Sequence, residues 1–260
     1  MRRRNFLTSA AASALLPSLN RADDPGLREY YELRKYTLRS GPGARLTDRY
    51  AAEALIPALN RMGMNPIGAF NLELGPETPT LYLLIPSPSL ELLVSSERRL
   101  IADEEYNKAG EAFLTASAAQ PPFDRIDSTL MVAFEGWPRV VVPPVTAQKG
   151  ARVFQLRTYE SPTVHDHQVK VDMFHHGEFE YFRRAGFWQV FYGDAVIGPR
   201  LPKLTYMLSY PSVAEMKSLW AAFSNDPDWK KLSSSPKYSF EPIVSNIDSL
   251  ILNPTTYSQI

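Results

Sequence analysis

The chain has 260 residues, 44% of them hydrophobic and 22% charged, which suits one large soluble domain or two small ones. The formal net charge is +0, but Arg2, Arg3, Arg4 and Arg21 all fall in an acid-free stretch, and the 28 basic residues less these four leave 24 against 28 acidic. A slightly acidic body has no field to attract nucleic acid. The absence of cysteine excludes disulfides, thiolate metal sites, a cysteine nucleophile and a lipid-modified N-terminal cysteine.

The chain opens Met1-Arg2-Arg3-Arg4-Asn5-Phe6-Leu7, and an alanine-rich apolar stretch runs from Leu7 to Leu16 before Pro17. A charged start and a short apolar region predict a secretory signal over residues 1–22. The adjacent arginines followed by Phe6-Leu7 resemble the twin-arginine export motif, which implies a periplasmic or otherwise exported protein that folds before it crosses the membrane. Once that signal is removed, no apolar run of about 20 residues is left to span a membrane.

Alternation and aromatic content predict a strand over 30–38, and Leu46, Tyr50, Ala54 and Ala58 recur at helical spacing within a helix over 41–61, with Pro57 as a kink or early end. Strands follow at 67–74 and 81–85, then helices in pieces over 90–118 and a strand at 126–134. Pro138, Pro143 and Pro144 mark residues 138–150 as a linker. The second half reads alike: strand 152–160, helix 163–185, strands 187–192 and 203–210, helices within 212–233, and strand 242–252.

The halves also match residue by residue. Leu33-Arg34-Lys35-Tyr36 meets Leu156-Arg157-Thr158-Tyr159, Arg61-Met62-Gly63 meets Arg184-Ala185-Gly186, and Gly75-Pro76 meets Gly198-Pro199, all at an offset of 123. Tyr82 meets Tyr206 at 124, and Ile126-Asp127-Ser128 meets Ile247-Asp248-Ser249 at 121. Two divergent copies are therefore expected, over 28–137 and 151–256. The order β-α-β-β-α-β is the ferredoxin-like unit, a four-stranded antiparallel sheet with both helices on one face. The bare face must be covered. The expected fold is thus α+β: two tandem ferredoxin-like units whose antiparallel sheets pack face to face as an α/β barrel.

Tyr31-Glu32-Leu33-Arg34-Lys35-Tyr36, Phe154-Gln155-Leu156-Arg157-Thr158-Tyr159 and the stretch Gly198-Pro199-Arg200-Leu201-Pro202-Lys203-Leu204-Thr205-Tyr206-Met207 resemble the NIPSNAP family. Asn225-Asp226-Pro227-Asp228-Trp229-Lys230 resembles its Asp-Pro-x-Trp segment, where the first copy has drifted to Ala102-Asp103-Glu104-Glu105-Tyr106. The resemblance implies a dimeric α/β-barrel fold and supplies no agreed catalytic residues. Eukaryotic members are linked to mitochondria, membrane trafficking and mitophagy, a setting from which an export signal separates this chain.

Alternation along the first strand of each copy suggests that Tyr31, Leu33, Phe154 and Leu156 pack on the helices, while Arg34, Tyr36, Arg157 and Tyr159 turn into the space between the sheets. There they would form a ligand-binding pocket for an anionic or carbonyl-bearing small molecule. The alternative is that each arginine pairs with an acid such as Glu32 and ties the sheets together. Asp172, His176 and Glu180 fall at helical spacing and are metal candidates, although a solvated helix face explains them more simply. His175 and Glu178 are candidate acid/base groups, with a hydrogen-bonded helix-border histidine as the plainer reading of the former. No cofactor motif is present. The expected functions are small-molecule binding, a cofactor-independent oxygenase or isomerase, or a non-catalytic interaction scaffold; self-association beyond the internal pairing is open.

Overall fold

The computed structural model describes residues 28–260, so the signal predicted over residues 1–22 lies outside the described residues. The first unit contributes β1 (Tyr30–Thr37), β2 (Gly68–Leu72), β3 (Thr80–Ser87) and β4 (Arg125–Ala133), and the second β5 (Val153–Glu160), β6 (Trp188–Ile197), β7 (Lys203–Tyr210) and β8 (Asn246–Pro254). They close into one barrel in the order β1-β3-β2-β8-β5-β7-β6-β4, every pairing antiparallel. Each unit keeps the ferredoxin-like order, its first strand between its third and fourth, and the units join through β2–β8 and β4–β6. Four successive antiparallel steps separate β1 from β5, so the two run the same way. The copies are therefore related by rotation about the barrel axis, and both hairpins, β2–β3 and β6–β7, lie at the same end.

The inner faces of both sheets make one apolar core that includes Tyr31, Phe70, Leu84, Met131, Phe154, Leu156, Phe191 and Met207. Rings from opposite units meet there: Tyr31 edge-on to Phe191 at 5.4 Å and Phe70 against Phe154 at 4.7 Å. The end away from the hairpins is sealed. Ile260 is fully buried in the core, and the segment before it is held to β2 by Gln259 N–H to the Ile67 carbonyl and Thr255 N–H to the Ala69 carbonyl. Val140 of the proline-rich connection also packs there, its N–H given to Glu29 Oε2 at 2.8 Å.

The helices cover the outer faces. In the first unit α1 (Pro42–Tyr50) runs through a π-helical turn, Ala51–Leu55, into α2 (Ile56–Arg61), and α3 (Leu90–Ile101) and α4 (Glu104–Leu114) follow β3. The second unit repeats this with α5 (Val164–Met173), a π-helical turn Phe174–Glu178, α6 (Phe179–Ala185), α7 (Val213–Asn225) and α8 (Pro227–Ser233), plus a short α9 (Phe240–Ile243). The first helix passes through Pro57 rather than ending there, because the π turn just before it accommodates a residue that lacks an N–H. The second helix is kinked at Gly177, whose φ of 140° is open to a residue without Cβ.

Equivalent devices recur at the offset read from the sequence. Ser89 and Ser212 cap α3 and α7 with their side chains. Arg61 binds Asp103 and Glu105 at 2.7 and 2.9 Å, and Arg184 binds Asp226 and Asp228 at 2.7 and 2.8 Å. Asp103 and Asp226 also cap α4 and α8. The segment at 102–106 has thus changed its residues and kept its task.

Three expectations are corrected. Tyr206 corresponds to Leu83, not to Tyr82, since Leu83 lies opposite Arg34 and Tyr206 opposite Arg157 in the ladders; the offset stays at 123 through these strands. The strand expected over 187–192 continues to Ile197. The last strand begins at Asn246, and residues 240–243 form α9 instead.

Because both units share the barrel interior, a cavity there weakens both. Phe154→Ala is expected to cost about 3–5 kcal/mol. Urea unfolding followed by fluorescence and by circular dichroism should give one coincident transition at a lower midpoint; two separate transitions would show that the halves fold independently.

Candidate functional site

At the sealed end the barrel is filled, and at the hairpin end it opens into a cavity of about 550 Å³. Its floor is Leu33, Leu156 and Leu250, and its wall carries Lys35, Tyr82, Asp127, Thr129, Thr158, Lys203, Thr205 and Asp248. Glu77 and Arg200 reach in from the two hairpins. All the strand residues in this set follow the inward alternation: Leu33 and Lys35 continue Tyr31, and Lys203 and Thr205 continue toward Met207. The ladder sets Lys35 directly between Tyr82 and Asp127, and Thr158 between Thr205 and Asp248.

Most charges in the mouth are paired. Lys35 Nζ donates to Glu77 Oε2 at 2.7 Å, and Arg200 binds Glu160 at 2.7 Å and Asp248 at 2.5 Å. Lys203 differs. It is 5% exposed, and its nearest polar contact is Thr129 Oγ1 at 3.4 Å from Nζ. Among the described residues no carboxylate lies within 4.0 Å of that nitrogen. Burial pushes the amine below its ordinary pKa of 10.5 and neighbouring Arg200 adds to this, against the opposing pull of Glu160 and Asp248.

The residues singled out from the sequence lie elsewhere. Arg34 and Tyr36 face the first helix layer: Arg34 binds Glu32 at 2.7 Å and Glu97 of α3 at 3.1 Å, and Tyr36 sits in the core beneath α1 and α2. Arg157 and Tyr159 face the second layer, where the guanidinium lies 4.6 Å over Trp220 of α7 and donates to the Tyr159 hydroxyl at 3.0 Å. The expected facing is therefore reversed: Tyr31, Leu33, Phe154 and Leu156 turn into the barrel, and the four expected ligand residues form two separate groups with the barrel between them. Both faces of each central strand are covered, so alternation identifies two faces without saying which is inside.

Glu178 is 2% exposed and receives Lys170 Nζ at 2.6 Å, a lysine that is itself fully buried. Burial raises the Glu178 pKa and Lys170 works against that rise. This pair lies between the second helix layer and its sheet, outside the mouth. His175 donates from Nδ1 to the Val171 carbonyl at 2.9 Å and accepts from the Gly136 N–H through Nε2 at 3.0 Å. These two bonds engage both ring nitrogens, leaving neither free for acid/base work. His167 is buried with Nε2 2.7 Å from Asp194 Oδ1, and His165 is exposed. Asp172 is engaged by His176, Lys237 and the Tyr238 hydroxyl, while Glu180 binds Arg183. The kink at Gly177 breaks the helical spacing that would have brought Glu180 to the other two, and among the described residues no three such side chains gather as metal ligands.

Lys203 escaped the sequence reading because it stood only within a family-like stretch. The signal available was its phase: it alternates with Thr205 and Met207 on the inner side of β7, and its counterpart in the first copy is the uncharged Thr80. A lysine whose folded pKa lies below its unfolded value binds its proton less well in the folded chain. The resulting destabilisation is fully present below the folded pKa and is relieved as pH rises toward 10.5. Lys203→Met should therefore melt higher than the parent chain at neutral pH, with the difference shrinking as the solution is made alkaline. Thermal scans across that range test it, and an advantage that grows with pH would contradict the assignment.

The NIPSNAP family model matches residues 31–135 and again 154–259. Among curated proteins no sequence match is found. Among solved structures, a candidate monooxygenase from Lactobacillus acidophilus is similar at a TM-score of 0.56 and 9% identity, over 87% of this chain and 94% of that one. An anthrone oxidase-like protein is similar at 0.51 and 13%, over 90% and 93%. A NIPSNAP-like domain protein from Burkholderia xenovorans aligns at 0.37 and 16%, over 41% of this chain and 88% of its own. With both copies matched over most of its length, the chain belongs to the NIPSNAP family.

Proposed function

We propose that this protein binds a small organic acid or carbonyl compound in the hairpin end of its barrel. The observation that carries the reading is the buried Lys203, with no carboxylate within 4.0 Å of its Nζ among the described residues, on the wall of a cavity whose floor is leucine. A volume of about 550 Å³ falls in the range that holds small ligands. The leucines suit a hydrocarbon or ring, and Lys203 suits an oxygen anion or a polarised carbonyl. An open mouth argues against a scaffold that uses only its outer surface. The signal-like residues 1–22 support the periplasm as the compartment, and no helix among the described residues is long and apolar enough to cross a membrane.

An enzymatic reading, a cofactor-independent oxygenase or isomerase, draws on the similar structures named for oxidative chemistry, a warrant of fold alone. What favours it within this chain is an amine in the mouth held below its ordinary pKa, the kind of group that accepts a proton from a bound carbon acid.

Titration calorimetry with a panel of small aromatic and aliphatic carboxylates at neutral pH tests the binding reading. A binder should lose about tenfold or more in affinity in Lys203→Met, the loss of one charge-assisted contact. Arg157→Ala should leave it unchanged. Binding that survives Lys203→Met and disappears in Arg157→Ala would move the site back to the helix layer.

A further inference from the structure

We propose that Lys203 is a covalent ligand-capturing residue whose Nζ forms an imine with an aldehyde or ketone held in the barrel mouth. The inference rests on the preceding reading of the mouth as a binding site, and goes beyond it by assigning a bond-forming atom and a ligand class.

Comparison with two other lysines sets Lys203 apart. Lys170 is as deeply buried, but its Nζ donates to Glu178 Oε2 at 2.6 Å. Lys35 shares the mouth, but its Nζ donates to Glu77 Oε2 at 2.7 Å. An amine engaged by a carboxylate in this way is not free to attack a carbonyl carbon. Lys203 has only the Thr129 hydroxyl, at 3.4 Å, beyond the usual range of an N–H···O bond. It is 5% exposed, yet it lines the cavity. Its side chain therefore borders the cavity while being largely shielded from bulk water. Burial and nearby Arg200 favour the neutral amine, the nucleophilic form.

The remaining wall suits the chemistry. Thr158 and Thr205 share a hydrogen bond between their hydroxyls at 3.0 Å in the same cavity, which leaves the O–H of the accepting partner to donate to a carbonyl oxygen. The amine lone pair attacks the carbonyl carbon and the C=O π pair moves to oxygen, giving a carbinolamine once the proton has passed from nitrogen to that oxygen. Loss of the hydroxyl as water, with a proton carried to it by way of the Asp127 carboxylate on the same wall, leaves the C=N bond. Amine plus carbonyl gives imine plus water, with no change in oxidation state and no cofactor. The leucine floor favours an aryl or alkyl carbonyl compound over a sugar.

The test uses benzaldehyde as carbonyl probe and benzoate as an analogue that cannot form an imine. The folded protein is incubated with benzaldehyde and sodium cyanoborohydride at neutral pH, and adducts are located by peptide mass spectrometry. Benzoate binding is measured separately by calorimetry. The expected result is a benzylamine adduct on Lys203 that forms faster than on exposed Lys217 and Lys230. It should be lost in Lys203→Arg and in Lys203→Met, whose circular dichroism matches the parent chain. Benzoate binding without preferential modification of Lys203 would overturn the imine and leave the binding site standing. Failure of both would overturn the two together. An adduct of equal yield on all exposed lysines also counts against the proposal.

Discussion

Each four-stranded sheet in this chain has two faces and helices enough for one. The uncovered face of each unit is apolar, with Tyr31, Leu84 and Met131 in one and Phe154, Leu156 and Met207 in the other. Burying such faces against each other is worth roughly 25 cal/mol for every Å² removed from water, and a closed barrel also leaves no strand edge unpaired. That closure dictates where chemistry can stand. Depth in the barrel is too dry for an unpaired charge, and the end sealed by Ile260 and Val140 is closed to solvent. Polar side chains on the inner face therefore collect at the hairpin end, where strands from both copies converge on one axis.

Fusion of two units into one chain frees the copies from identity. Toward the floor, counterparts remain alike in kind: Tyr31 with Phe154, Leu33 with Leu156, and Leu84 with Met207. In the mouth they diverge: Lys35 stands against Thr158, Thr80 against Lys203, and Glu77 against Arg200. Two identical subunits around the same axis would place every mouth residue twice, and a pair of facing lysines there would repel. A fused pair can hold one lysine paired with Glu77 and another with no carboxylate within 4.0 Å among the described residues. Asp127 and Asp248, which keep the same residue, hold the acidic side of the mouth in both halves.

The sequence made the element order, the duplication and the need for a barrel legible, because hairpin glycines, helix spacing and the Leu-Arg-x-Tyr match are local signals. It left the facing of β1 and β5 open in practice. Arg34 and Arg157 looked like inward groups, but an arginine can be buried under a helix when an acid or an aromatic plane meets it, as Glu97 and Trp220 do here. The histidine cluster was visible and uninformative for the same reason: the partners of His175, a carbonyl in α5 and the Gly136 N–H, include one nearly forty residues away in the chain. The mouth itself is assembled from six strands and two hairpins, and no local pattern brings Lys203 next to Thr129, 74 residues earlier.

The helix layer of the second copy shows what a purely structural lysine requires in this fold. Lys170 and Glu178 occupy the positions of Thr47 and Leu55 in the first copy, so charge and counter-charge entered, or left, together. Removing either alone would strand a buried ion, whereas exchanging both for neutral groups is tolerated. Lys203 breaks that rule. Its counterpart Thr80 fills the same ladder position fully buried, with its hydroxyl given to the Glu77 carbonyl and no charge to solvate. Stability alone favours the threonine. A lysine kept there with no carboxylate within 4.0 Å among the described residues costs the folded state something at neutral pH, a cost that the proposed ligand would offset through the amine.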